Sequence, residues 1–192
     1  TKSKTQPFKP DTLEEHWNSE HMRSVRKRML QGKKLPECEV CNDKLLNTDV
    51  YKSYWNHLFA HLIDKAFTDT KEDGSTTMPV ISYDYRFNNL CNFKCRMCGS
   101  MLSSSWESEQ RKHKDWSISS SPWMEPKLRE QIKSFQDTQV VKEFMHGVEN
   151  KTIREIYWCG GEPLMWDIHW TAMQRIIDLG FAKEVYVRYN TN

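Results

Sequence analysis

The sequence predicts an α/β fold on parallel strands, preceded by a mainly helical region. Strand-like runs at 80–87, 155–159 and 185–189 alternate with helical stretches, and the order β–α–β–α–β calls for parallel strands joined by right-handed crossovers. The two most unusual motifs, Cys91-Asn-Phe-Lys-Cys95-Arg-Met-Cys98 and Gly160-Gly161-Glu162-Pro163, each follow such a run directly. In barrels of this kind the chemistry lies at the C-terminal ends of the strands. The polar stretch 68–78, which contains Gly74, reads as a linker and divides the chain into residues 1–78 and 79–192.

From the N-terminus, residues 1–10 carry two Pro and three Lys and read as a loop. Helical pattern begins at Asp11. Thr12 and Ser19 are the predicted N-caps, with Glu15 in capping-box spacing after Thr12. Met22, Val25, Met29 and Leu30 share a helix face, and Gly32 is the expected stop. Arg23, Arg26, Lys27, Arg28, Lys33 and Lys34 make this stretch basic, which reads as a solvated face favoured by the helix dipole rather than a nucleic-acid patch. Residues 43–67 read as helix, with Leu45, Leu46, Tyr54, Leu58, Leu62 and Phe67 as core candidates. His57 and His61 sit four apart, but the zincin pattern needs Glu where Leu58 stands.

In the second half, 80–87 alternates and is rich in β formers. A Ser-rich segment and helices fill 101–147, interrupted near 119–122. Trp170, Met173, Ile176, Ile177 and Leu179 outline a later helix closed by Gly180.

Composition excludes several classes. The 192 residues allow one domain or one and a part. Lys and Arg number 28 against 26 Asp and Glu, and a net charge of +2 creates no field that would select nucleic acid or a membrane surface. Hydrophobic residues are only 38%, yet 8 Trp, 8 Phe and 7 Tyr suffice for a core and exclude global disorder. Apolar stretches such as Leu58-Phe59-Ala60 are far too short to cross a bilayer. Thr1 in place of Met, and a stop at Asn192 right after a strand-like run, suggest a fragment cut at both ends.

Six Cys could form three disulfides, but nothing points to secretion, and the spacing argues for thiolate ligation in a reducing compartment, by default the cytoplasm. Three thiols lie within eight residues at 91–98, and Cys38 and Cys41 form a second pair. Three clustered Cys could hold three irons of a four-iron–four-sulfur cube and leave the fourth open to a substrate or cofactor. A zinc-thiolate interaction module built from Cys38, Cys41, Cys95 and Cys98 is the alternative, but it leaves Cys91 and the Gly-Gly-Glu-Pro turn unexplained. Cys159, at a strand end, reads as a small buried apolar residue.

The three-Cys loop after a first strand, with Gly160-Gly161-Glu162-Pro163 after a second, resembles the radical S-adenosylmethionine (SAM) superfamily. The resemblance implies the N-terminal half of a partial (β/α)6 TIM-like barrel, with three β/α units present, and an enzyme activity. Cys91, Cys95 and Cys98 would ligate the cluster, whose fourth iron would take the methionyl amine and carboxylate of SAM. Met97 would pack near the adenine, where aromatic residues are commoner. Gly160, Gly161 and Glu162 would receive the methionyl ammonium. Thr191-Asn192 is similar to the start of a Thr-Asn-Gly turn after the third strand, which places Asn192 among the cofactor-binding residues, although the chain stops before the Gly. The implied partners are SAM, an electron donor and an unidentified substrate, with a lean towards peptide or protein modification. Strands that normally complete ribose and adenine binding are absent, so the 192 residues alone are expected to be inactive. Leu13–Ser19, the basic helix and Cys38-x2-Cys41 resemble a SPASM/twitch-type auxiliary-cluster segment. Such a segment preceding the barrel is similar to radical SAM proteins of phage and marine origin. Cys38 and Cys41 would then be half of a second iron–sulfur site; a zinc knuckle or an unused pair is the other reading.

Overall fold

Local capping fixes the first helices. The computed structural model describes residues 9–38, 50–84, 86–113 and 125–192, apart from the side chains of Cys38 and residues 50–52. They fall into two compact units, Asp11–Pro79 and Val80–Asn192, the latter together with Lys9 and Pro10. In the first, α1 (Leu13–Trp17) starts at a complete capping box, with Glu15 N–H donating to Thr12 Oγ1 at 3.1 Å and Thr12 N–H to Glu15 Oε2 at 2.9 Å. Helix α2 (Glu20–Leu30) starts on the Ser19 hydroxyl and ends at Gln31, with Gly32 in the left-handed conformation beyond it. Each signal was legible in the sequence.

The stretch 68–78 is not a linker. Thr70 and Thr76 pair as an antiparallel bridge, and Lys71 N–H donates to Ser75 O at 2.8 Å, closing a turn within the helical unit. Gly74, with φ +82°, lies so close to α2 that a Cβ would stand 2.0 Å from the Arg23 carbonyl oxygen. Arg26 laces the turn down. Its guanidinium donates to Gly74 O, Trp17 O and Asn18 Oδ1 and lies 4.9 Å from the Trp17 ring centroid. Arg23 pairs with Asp73 and Arg28 donates to Lys34 O. Part of the basic stretch therefore serves internal contacts.

Within 43–67, residues 43–49, and with them Leu45 and Leu46, lie outside the described residues. The rest is interrupted: α3 (Val50–Leu58), a 3-10 turn (Ala60–Leu62) and α4 (Ile63–Asp69). Tyr54, Leu58 and Leu62 are half-buried, whereas Phe67 is exposed, because α4 shows that face to solvent. His57 and His61 fall on either side of the break, both exposed.

The second unit is mixed α/β around a three-stranded parallel sheet of order β1-β2-β3: Ser82–Tyr83, Glu155–Trp158 and Tyr186–Tyr189. Tyr83 faces Ile156 and Trp158 faces Tyr189 in register. The first strand is far shorter than the 80–87 run. It is an edge strand, and its pairing with β2 ends at Tyr83. Between β1 and β2 lie α5 (Ser104–Lys112), α6 (Pro126–Phe135), a π-helical segment (Gln136–Val140) and α7 (Val141–Glu149). Helix α8 (Asp167–Asp178) joins β2 to β3.

Strand alternation sorts the sheet into two chemically different faces. Tyr83, Ile156 and Trp158 point to the face covered by α7 and α8, where Phe144, Val148, Ala172 and Ile176 are almost fully buried. Phe144 meets Tyr83, Phe87 and Trp158 edge-on at 5.1–5.6 Å between centroids, the favoured aromatic geometry. The opposite face carries Ser82, Glu155, Tyr157 and Arg188. Glu155, 1% exposed, accepts from the Ser82 hydroxyl and from Arg188 Nε at 2.7 Å, while the guanidinium lies over the Tyr157 ring.

The buried stripe of α8 is His169, Ala172 and Ile176; of the residues that outlined this helix in the sequence only Ile176 is fully buried, Met173 and Leu179 are half-buried, and Trp170 and Ile177 are 58% and 57% exposed. His169 fits because its Nε2 lies 2.9 Å from the Tyr189 hydroxyl. Among the described residues no helix is long and apolar enough to cross a membrane. The neighbours Ile176 and Ile177 check this rotation. Ile176→Ala should cost about 2–5 kcal/mol in urea unfolding, and Ile177→Ala less than about 1 kcal/mol.

Candidate functional site

Both motif loops stand at the C-terminal ends of parallel strands, held together through the Leu90 carbonyl oxygen. Gly160 and Gly161 both have positive φ. A Cβ on Gly161 would stand 2.6 Å from Leu90 O, so only glycine lets the turn come this close. Glu162 N–H then donates to the same oxygen at 2.8 Å, and the Trp166 indole N–H reaches it at 3.4 Å. Cys91 follows immediately.

The Cys loop is braced from behind by the start of α5. Ser104 Oγ accepts from Cys91 N–H at 3.1 Å and donates to Cys91 O at 3.2 Å; Ser105 Oγ donates to the same carbonyl at 2.9 Å. Ser103 caps the helix by accepting from Trp106 N–H and donates to Phe93 O at 2.6 Å. The Trp106 indole donates to Cys95 O at 3.0 Å. Deeper still, Asn89 donates to Ser100 O and Glu107, and Arg129 pairs with Glu107. The Ser-rich segment read only as local composition in the sequence; its three consecutive hydroxyls are the scaffold of the loop. An N-cap signal at Ser103 was the available clue.

The three thiols differ in environment. Cys91 is buried, Cys98 half-buried and Cys95 exposed. Burial, then the neighbouring Cys95 and Cys91 thiols, push the Cys98 thiol upward, so the three sense one another. Among the described residues, no three Cys, His, Asp or Glu side chains converge as ligands of one metal ion would. A cube binds its thiolates on separate irons, so the donor set, three neighbouring sulfurs with one side open to solvent, is compatible with a polynuclear centre. Met97 is 92% exposed beside them. Cys41 lies outside the described residues, as does the side chain of Cys38.

Glu162 is a clamp. Its carboxylate, on a side chain only 5% exposed, accepts from Leu164 N–H at 3.0 Å, Thr191 Oγ1 at 2.7 Å and Asn192 N–H at 3.0 Å. These bonds pin the end of β3 to the Gly-Gly-Glu-Pro turn. Burial alone would raise the Glu162 pKa, but the three donors outweigh it and hold the carboxyl below its ordinary value. Asn192 in turn directs its side-chain N–H to Cys91 Sγ at 3.7 Å. Cys159 sits apart as a protonated thiol, donating to Asp84 Oδ1 at 2.9 Å; burial, then Asp84, push it up to about 11. Burial pushes the His169 imidazole pKa below its ordinary value, against the pull of Glu162.

Compared with protein-family models, curated proteins and solved structures, the chain finds no match in any of the three.

Two measurements follow from this geometry. Of the four described thiols, alkylation of the metal-free protein, resolved by mass spectrometry, should modify Cys95 first and Cys91 and Cys159 last. Glu162 stabilises fully above its ordinary pKa of 4.5, and this contribution disappears as pH falls through the depressed folded value. Glu162→Gln should therefore flatten part of the fall in unfolding midpoint between about pH 5 and pH 3. An unchanged acid limb would assign that fall to other carboxylates.

Proposed function

We propose that this chain is part of a radical SAM enzyme, its second unit forming the first three β/α units of a partial (β/α)6 barrel. One observation carries the reading: a three-Cys loop and a Gly-Gly-Glu-Pro turn, far apart in sequence, share the Leu90 carbonyl at one end of a parallel sheet. The sheet supports it further. Strand order follows chain order without reversal, and α7 and α8 both cover the same face. A doubly wound sheet reverses its strand order, whereas a barrel keeps winding in one direction and turns its uncovered face inward. Here that face carries the Glu155–Arg188 pair and Tyr157.

In this reading Cys91, Cys95 and Cys98 hold three corners of a four-iron–four-sulfur cluster, leaving one iron without a protein ligand. The chemistry such a cluster supplies is reductive cleavage of the S–C5′ bond of SAM, giving methionine and a 5′-deoxyadenosyl radical that takes hydrogen from a substrate. The chain's own part is positional. Ser103, Ser104 and Ser105 fix the backbone of the Cys loop. Gly160 and Gly161, which carry no side chain to obstruct approach, would offer backbone carbonyls to the methionyl ammonium. Glu162 adds negative charge while spending most of its hydrogen-bonding capacity on Leu164, Thr191 and Asn192. Exposed Met97 is free to pack on the adenine. An electron donor and a substrate, with peptide or protein as the leading class, complete the set of partners. Cys38 and Cys41 are assigned to an auxiliary iron–sulfur site in the same proposal.

Anaerobic reconstitution with iron and sulfide tests the reading. About four irons per chain should bind through Cys91, Cys95 and Cys98, with broad thiolate-to-iron absorption. They should be lost in the Cys91→Ala/Cys95→Ala/Cys98→Ala variant, and iron surviving there would belong to Cys38 and Cys41. Tight zinc binding with no iron uptake would replace the enzyme by a zinc-stabilised interaction module.

A further inference from the structure

We propose that Asn192 is a positioning residue for the Cys91 sulfur, delivered to it by the Glu162 carboxylate, and that its hydrogen bond sets the reduction potential of the cluster; this rests on the radical SAM reading above. The three thiols are unequal in one specific way. Cys91 is 8% exposed, and its sulfur accepts two hydrogen bonds, from Phe93 N–H at 3.4 Å and from Asn192 Nδ2 at 3.7 Å. The first donor is local, two residues along the same loop. The second arrives from 101 residues away in sequence.

Asn192 is itself exposed, so packing does not hold its amide on the sulfur. Three hydrogen bonds do. Asn190 N–H donates to Trp158 O at 2.9 Å, Thr191 Oγ1 to Glu162 Oε1 at 2.7 Å and Asn192 N–H to Glu162 Oε2 at 3.0 Å. Each oxygen of one buried carboxylate thus grips one of the last two residues, leaving the side chain of Asn192 to face Cys91. Hydrogen bonds to cluster sulfurs are among the levers that set the potential, because a donor stabilises the more negatively charged reduced state. Groups that orient a metal ligand commonly act this way without touching the metal. Glu162 would then affect the cluster through Asn192, in addition to any contact with SAM.

The test is a redox titration of the reconstituted full chain without SAM, followed by electron paramagnetic resonance, alongside iron content. Asn192→Ala should keep about four irons and move the midpoint to more negative potential. The isosteric Asn192→Asp, which exchanges the donor for a negative acceptor, should move it further the same way. Asn192→Ala should move the midpoint in the wild-type background but leave it unmoved in a Glu162→Ala background, a comparison in which the lost carboxylate charge cancels. Because Asn192 is exposed, its variants carry the test even if Glu162→Ala does not fold. A fully loaded Asn192→Ala with the wild-type midpoint overturns the inference and leaves the cluster reading standing. Additive shifts overturn the role of Glu162 as the positioning group. A wild-type chain that takes up no iron overturns the radical SAM reading and this inference together.

Discussion

Residue 161 carries no side chain, and that absence lets two loops touch backbone to backbone. A Cβ there would collide with the Leu90 carbonyl, the oxygen that receives the Glu162 N–H and the Trp166 indole. Leu90 directly precedes Cys91, and Glu162 directly follows Gly161. The close approach therefore registers the Cys loop against the turn and also aims the Glu162 carboxylate at the end of β3. The contact of Asn192 with Cys91 is reached through this one clearance.

The sheet beneath the site separates its two jobs by strand alternation. One face is an aromatic core, in which Phe144, Trp158 and Phe87 meet largely edge to face and the two flanking helices exclude water. The other face keeps a buried carboxylate, Glu155, satisfied by a serine and an arginine. A buried ion pair of this kind contributes less to stability than its geometry suggests, since desolvation offsets much of the attraction. Its stronger effect is to fix how Arg188 and Tyr157 stand on that face. The proposed barrel would turn this ordered polar surface towards its interior.

In the helical unit the organising side chain is Arg26. It reaches carbonyls of Trp17 and Gly74 and the Asn18 amide while stacking on Trp17. A planar fork of donors suits such multiple contacts better than a point charge does. The same chemistry explains why a run of Arg and Lys need not signal a polyanionic partner.

Local chemistry was legible in the sequence. The capping box at Thr12, the Ser19 cap, the Gly32 stop, the parallel order of three strands and the pairing of each special motif with a strand end all follow from short-range rules. Those rules act within a turn or two of chain, so sequence spacing carries them. Long-range contacts decided the rest. Gly74 reads as a linker glycine until α2 is placed against it, and Ser103–Ser105 read as composition until the Cys loop lies on them. The inward face of α8 turned to His169, not to Trp170 or Ile177, because Tyr189 and Trp158 supply a polar and an aromatic partner there. The link from Glu162 through Asn192 to Cys91 joins positions remote in the chain, and no local pattern encodes it. Spacing names the groups that can do chemistry, whereas their mutual distances depend on packing between segments that meet only after folding.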